Sequence, residues 1–179
     1  MKSALCLAVV AIVFTSILAA CDAAQADEKA TLSDIHICCK GCVAAIQSAA
    51  TKVPGVKCVA SEDDANAVLT ADNKQSLQKA VDEIAKAGFC GTSDNPQIKF
   101  APISAPSGKV QKLEISHVHN CCGKCAVALK AALKDVPGVT SNTIESKKTS
   151  FVVQGDFSAA DLVNALEKAG FYPEVKEAK

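Results

Sequence analysis

Two short segments hold six of the chain's ten cysteines. The first reads His36-Ile37-Cys38-Cys39-Lys40-Gly41-Cys42 and the second His119-Asn120-Cys121-Cys122-Gly123-Lys124-Cys125. In each, a Cys-x-x-Cys pair is preceded directly by a third cysteine, with a histidine two residues before that. Apolar residues at helical spacing follow: Val43, Ile46, Ala50 and Val53 in the first segment, Ala126, Leu129, Leu133 and Val136 in the second. Cysteines that open a helix sit against the positive end of its dipole. That favours the thiolate and suits it to soft-metal capture or to disulfide exchange.

Charge counting narrows the metal. Two thiolates on a monovalent copper ion leave one net negative charge, and so do three thiolates on a divalent ion. The extra Cys38 and Cys121 therefore favour a divalent thiophilic ion (zinc, cadmium, lead or mercury) more than a plain Cys-x-x-Cys would. A neutral His36 or His119 would complete a Cys3His tetrahedron. The only methionine is the initiator, so no thioether copper site exists, while thiolate copper(I) stays open. Structural disulfides compete with this reading, but three thiols cannot all pair within one cluster and adjacent cysteines bridge only with strain. His36 and His119 read equally well as surface histidines at strand ends, and His117 reads as part of a strand. A thiol-disulfide redox module is the alternative function. The thioredoxin pattern, however, would set the motif in a parallel βαβ unit with a nearby cis-proline, and neither is visible. No phosphate loop, carboxylate pair or Ser/His/Asp arrangement points to an enzyme.

The elements that must position these cysteines occur twice. Val53-Pro54-Gly55-Val56 follows the first cluster and Val136-Pro137-Gly138-Val139 the second, both motifs repeating at an offset of 83. Lys86-Ala87-Gly88-Phe89 repeats as Lys168-Ala169-Gly170-Phe171 at 82, which implies one residue lost in a hairpin. Each copy reads β-α-β-β-α-β. Leu113 and Ile115 alternate as in a half-buried strand, and Pro-Gly ends the first helix. Ser146-Lys147-Lys148 turns a hairpin. Ser158 and Asp161 resemble a capping box, ahead of Leu162, Val163 and Leu166. In the first copy Leu77, Val81 and Ile84 supply the matching face, and Gly88 and Gly170 stop the second helices. The expected fold class is α+β: two tandem ferredoxin-like βαββαβ sandwiches, residues 31–94 and 110–177, each with two helices on one face of a four-stranded antiparallel sheet. A Pro/Ser-rich linker, 95–109, joins them as an extended, solvated spacer. In this topology Cys90 falls near Cys38, Cys39 and Cys42 as a fourth sulfur ligand, a resolving thiol or a packed free cysteine. Cys58 falls at the opposite pole as a buried small residue. If the two copies face each other, one ion could be shared between the clusters.

Composition bounds the rest. The chain has 179 residues, 19 Lys+Arg against 19 Asp+Glu, 49% apolar and 4% aromatic residues. Balanced charge without a basic stripe, and so few aromatics, exclude a nucleic-acid surface. Lys2 and the apolar run Ala4 to Leu18 have the proportions of a secretory signal, residues 1–20. Leu18-Ala19-Ala20-Cys21 resembles a bacterial lipobox, which makes Cys21 a candidate lipidation site. Cleavage after Ala26, at Ala24-Gln25-Ala26, is the alternative. Residues 21–30 read as a tether. The expected location is exported, periplasmic or membrane-anchored, with the lipid as the one membrane contact, in a compartment where disulfides form.

The order of strand, Cys-x-x-Cys, helix, Val-Pro-Gly-Val, hairpin, helix and Ala-Gly-Phe resembles the heavy-metal-associated domain of copper chaperones, P-type ATPase amino-terminal modules and the periplasmic mercury-binding protein. The resemblance covers nearly all of residues 30–94 and 110–177. It implies that Cys39, Cys42, Cys122 and Cys125 hold the family's metal-ligand positions and that Phe89 and Phe171 border the metal loop. It implies a soft metal ion as the bound species and a metal-transporting membrane protein as a partner. The family's Gly-Met-Thr before the first cysteine is replaced here by His36-Ile37-Cys38 and His119-Asn120-Cys121. Ile35 and Val118 precede the histidines, so the first strand of each copy is expected to end in a bulge.

Overall fold

The computed structural model describes residues 27–177. The signal segment, Cys21 and Ala26 lie outside the described residues. The first half contains β1 (Glu28–Ser33), α1 (Lys40–Ala50), β2 (Lys57–Ser61), β3 (Asn66–Ala71), α2 (Lys74–Lys86) and β4 (Thr92–Ser93). The second contains β5 (Lys109–Ser116), α3 (Gly123–Lys134), β6 (Val139–Asn142), β7 (Phe151–Ser158), α4 (Ala159–Lys168) and β8 (Glu174–Glu177). The sheets run β2-β3-β1-β4 and β6-β7-β5-β8, every pairing antiparallel. This is the ferredoxin-like arrangement, made twice.

Alternation puts Ala67, Leu69 and Ala71 of β3 on the buried face, where they meet Ile46, Leu77 and Ile84 from the helices. Each such aliphatic side chain contributes about 1.5–3 kcal/mol when fully buried. Leu113, Ile115, Leu129, Val153, Leu162 and Leu166 repeat the pattern in the second half. The second helices begin on side-chain caps: Asn73 accepts from the Ser76 amide at 2.9 Å and Ser158 from the Asp161 amide at 3.3 Å. Both end at a glycine in the left-handed region, Gly88 (φ +86°) and Gly170 (φ +83°).

Four expectations change. β1 starts at Glu28, inside the stretch read as a tether, because Glu28, Lys29 and Ala30 pair with Ala71, Thr70 and Leu69. The linker is not a free spacer. Ile98 is buried, and the Gln78 side chain of α2 both donates to the Lys99 carbonyl (2.8 Å) and accepts from its amide (3.0 Å). The offset does not fall through one deletion in a hairpin. Leu32 pairs with Ala67 and Ile115 with Phe151, so the hairpin gains a residue, a bulge in β7 gains another, and the second helix, 10 residues against 13, then loses three. His117 lies beyond its strand, at φ +59°, and its ring meets the Glu174 carboxylate at 3.0 Å.

Candidate metal centre

Each cysteine loop begins where the first strand of its half stops. Asp34 (φ +56°) and His117 (φ +59°) take the left-handed conformation directly after β1 and β5, turning the chain so that Ile35 and Val118 are buried. Cys39 and Cys122 then stand in extended conformation as N-caps of α1 and α3, and Cys42 and Cys125 lie in the first turns, fully buried.

The two halves meet loop to loop, and the Lys-Ala-Gly-Phe repeats form the seam. Phe89 and Phe171 make an antiparallel bridge, the Cys90 amide donates to the Gly170 carbonyl and the Tyr172 amide to the Gly88 carbonyl, both at 3.0 Å. The backbones approach so closely that a Cβ on Gly88 would collide with the His117 carbonyl and the His119 amide. One on Gly170 would collide with the His36 amide and the Asp34 carbonyl. Glycine is needed at both places for its positive φ and for this approach. The rings cross over as well. His119 stacks on Phe89 with centroids 4.1 Å apart, and His36 lies against Phe171 at 4.5 Å.

This docking gathers six sulfurs. Within the halves, Cys42 Sγ lies 3.7 Å from Cys38 Sγ and from Cys39 Sγ, and Cys125 Sγ lies 3.8 Å from Cys121 Sγ and from Cys122 Sγ. Across the seam, Cys38 Sγ stands 3.5 Å from Cys125 and 3.8 Å from Cys122. Cys121 Sγ stands 3.5 Å from Cys39 and 3.8 Å from Cys42. All eight cysteines of the described residues are free thiols. His119 offers a ring nitrogen within 4.8 Å of Cys42, Cys121 and Cys125, and His36 one within 4.8 Å of Cys38 and Cys125. The Nε2 atoms of both histidines are buried without a hydrogen-bond partner. Such an atom is normally satisfied, and in this cluster the partner it suits is a metal ion.

The thiols divide the charge unevenly. Burial, reinforced by Cys125, holds the Cys38 proton well above the ordinary thiol range, and burial with the Cys39 contact pushes Cys121 up to about 12. Cys42 is raised strongly by its contact with the Cys125 sulfur, and that same contact lowers Cys125, so the pair shares one proton with the negative charge on Cys125. Cys39 falls to about 7 through the backbone amide of Cys42 at the helix start. Burial lowers His119, which favours the neutral ring that a metal ligand needs. Lys124 Nζ crosses the seam to the Cys38 carbonyl at 3.0 Å.

Cys38, Cys39, Cys42, Cys121, Cys122, Cys125, His36 and His119 are thus brought together. Cys90 is not. The bridge at Phe89 turns it into a cavity of about 560 Å³ beside Asp34, Phe100 and Glu167, where burial and the Glu167 charge push its thiol up to about 11. Cys58 sits in β2, away from the cluster, with burial raising it to about 11. Sequence reasoning missed the docking role of Gly88 and Gly170. The signal was the repeated Lys-Ala-Gly-Phe itself, read only as a helix stop.

Residues 117–172 match the heavy-metal-associated domain, a span that takes in His119 and all three cysteines of the second cluster. Among solved structures, the solution structure of the N-terminal soluble domains of Bacillus subtilis CopA is similar at 17% identity. That alignment covers 85% of this chain and 95% of that one, with a TM-score of 0.32. The first two RRM domains of the yeast poly(U) binding protein Pub1 align at 14% identity over 85% of this chain and 99% of theirs, with a TM-score of 0.26. Likenesses at these scores carry no weight for function.

Proposed function

We propose that this protein is an exported, non-catalytic carrier of soft metal ions, which it sequesters or passes to a metal-transporting membrane protein. One observation carries the reading. Six free cysteine sulfurs drawn from both halves converge at a buried seam, flanked by two imidazole nitrogens that have no other partner. The heavy-metal-associated match over residues 117–172 supports it. So does the chemistry of the donors, since thiolate and imidazole together suit copper(I), zinc, cadmium or mercury. Export rests on the apolar run Ala4–Leu18 and the lipobox-like Leu18-Ala19-Ala20-Cys21.

The test is a titration of the reduced full chain under anaerobic conditions, with copper(I) and with zinc or cadmium in competition with chelators, read by native mass spectrometry. Tight uptake is expected, and Cys42→Ser with Cys125→Ser should abolish it. A chain that takes up no ion at micromolar concentration yet exchanges disulfides rapidly would sink the proposal in favour of a thiol redox module.

A further inference from the structure

The shared sulfurs have a definite figure. Cys39, Cys42, Cys125 and Cys122 form a four-membered ring in that order: 3.7 Å from Cys39 to Cys42, 3.8 Å from Cys125 to Cys122, and the two cross-seam edges within 4.8 Å. Cys38 stands against all four, at 3.7 Å from Cys42, 3.8 Å from Cys122, 3.5 Å from Cys125 and within 4.8 Å of Cys39. Cys121 does the same, at 3.5 Å from Cys39, 3.8 Å from Cys42, 3.8 Å from Cys125 and within 4.8 Å of Cys122. Two sulfurs cannot occupy one side of the same ring at these distances, so they cap it from opposite sides. The six sulfurs are the corners of an octahedron.

We infer that this octahedron is one cage for a polynuclear cluster of soft monovalent ions, copper(I) or silver(I), with four ions on alternate triangular faces and every cysteine bridging two of them. The inference rests on the metal-binding reading above and fixes its stoichiometry and ion class. The four faces are Cys38-Cys39-Cys42, Cys38-Cys122-Cys125, Cys39-Cys121-Cys122 and Cys42-Cys121-Cys125. The edges of the Cys38-Cys122-Cys125 face are 3.5, 3.8 and 3.8 Å. Its centre therefore lies about 2.1 Å from each sulfur, close to a metal–thiolate bond of about 2.3 Å. An octahedron contains triangles of neighbouring corners but no set of four corners that are all neighbours. It offers three-sulfur positions and no four-sulfur tetrahedron. A histidine nitrogen, that of His119, stands within 4.8 Å of all three sulfurs at the Cys42-Cys121-Cys125 face only. The Cys3His set of structural zinc is therefore open at one face and not at the other three.

Charge agrees. Four monovalent ions offset four of six thiolates, and the remainder faces the N-termini of α1 and α3 and the Lys124 ammonium, which reaches Cys38. Two divalent ions would offset as much. On opposite faces, however, they would use all six sulfurs but confront each other without a bridging ligand, with four times the repulsion of singly charged ions at that distance. On two of the alternate faces they would share one sulfur and leave another unbound. The extra cysteines, which charge counting on one loop assigned to a divalent ion, act instead as the caps that join two loops into one cage. Each ion that binds displaces thiol protons to solvent, and no redox change is involved.

The full chain, reduced and anaerobic, should be titrated with copper(I) against a bicinchoninate competitor. Native mass spectrometry is expected to show apo protein and a four-copper species with little between them, and X-ray absorption a short copper–copper vector. Independent binding of one or two ions would overturn the cage and leave the metal-binding reading standing, whereas no binding at all would overturn both. Gly88→Val with Gly170→Val retains every cysteine but drives the loops apart. It should hold at most two ions, at least tenfold more weakly, and a retained four-ion step would overturn the cage. Should that variant fail to fold, Cys38→Ser with Cys121→Ser removes only the caps. It should keep wild-type circular dichroism and lose both the four-ion species and the metal–metal vector, and retention of either would overturn the proposal.

Discussion

Ile37 and Asn120 occupy the same place in the two repeats, between the histidine and the cysteines, and both are buried. Ile37 holds its loop by joining the apolar core. Asn120 holds its loop by donating from Nδ2 to the Glu145 and Lys148 carbonyls, both at 2.8 Å, which pins the longer β6–β7 hairpin over the metal loop. The Val118 amide adds a bond to the Thr149 carbonyl at 3.2 Å. The hairpin of the first half joins β2 and β3 across four residues and offers its loop no such lid. The same cysteine geometry is therefore reached by apolar packing on one side and by a polar clasp on the other. The cluster constrains where the sulfurs stand but not how each half holds them there.

The seam is where the halves agree, and breaking it should have the largest effect. Phe89 and Phe171 are fully buried, and each covers the histidine of the opposite half. Truncating a buried phenylalanine to alanine removes about 3–5 kcal/mol. Phe89→Ala and Phe171→Ala should each lower stability by that amount in urea unfolding. They should also weaken metal uptake alike, because the contacts are reciprocal. A large difference between the two variants would show that one half dominates the docking.

The clasp comes next. Asn120→Ala removes both bonds to the hairpin and leaves the Glu145 carbonyl with the Lys148 amide alone, so losing two hydrogen bonds should destabilise the second half by about 1–3 kcal/mol. Hydrogen exchange should report the change in β6 and β7. Ile37→Asn in the first half should be at least as damaging, since an amide would be buried there with no hairpin carbonyls to receive it. If Ile37→Asn were tolerated, the two loops would be interchangeable and the comparison would lose its point.

The apo protein should also respond to pH in a way the loaded protein does not. Cys38, Cys42 and Cys121 hold their protons above the ordinary thiol value of 9.0. The stability they contribute is full below that value and lost as pH rises, for Cys121 through about 12. Cys39 runs the other way, its contribution being present above 9.0 and lost as pH falls through about 7. His119, lowered by burial, adds a loss that begins below its ordinary value of 6.5. Apo stability should therefore rise with pH to a maximum near 9, where the Cys39 contribution is complete and the losses at Cys38, Cys42 and Cys121 begin. The metal-loaded form stays flat above pH 9, because its sulfurs have no protons left to lose. Thermal melts across this range, with and without copper(I), would test both statements.

Much of this was legible in the sequence because it is written in local chemistry. The repeat, the strand and helix order, the Ser158 cap and the glycine stops follow from spacing and residue type, and so do the cysteines and histidines that converge. What escaped depends on contacts between distant segments. Gly88 and Gly170 look like ordinary helix stops until the opposite loop is seen against them. The order of elements puts Cys90 at the pole of the metal loop, yet the Phe89–Phe171 bridge turns it away from the sulfurs. Three cysteines in one loop suggest one ion per loop, and only the docked halves show that Cys38 and Cys121 cross over. The linker's docking is hidden for a similar reason, since proline and serine content says nothing about a glutamine on a neighbouring helix.

That glutamine gives the smallest effect and the last comparison, because each half grips the linker by a different hand. From the first half, the Gln78 amide bonds both backbone groups of Lys99, while its other hydrogen goes to Asp82 at 2.9 Å. From the second, the Tyr172 hydroxyl donates to the Ala101 carbonyl at 2.9 Å. The linker bonds are exposed, so the two to Lys99 that Gln78→Ala removes, along with the one to Asp82, should amount to about 1 kcal/mol, and the one lost in Tyr172→Phe to about half that. Global unfolding would barely register either change. Trypsin should, because it cuts only after Lys99 has left Gln78. Cleavage there is expected to be several-fold faster in Gln78→Ala and nearly unchanged in Tyr172→Phe, whose lost bond leaves Lys99 in place. Equal rates in the two variants would mean that the buried Ile98, rather than either polar contact, fixes the linker to the first half.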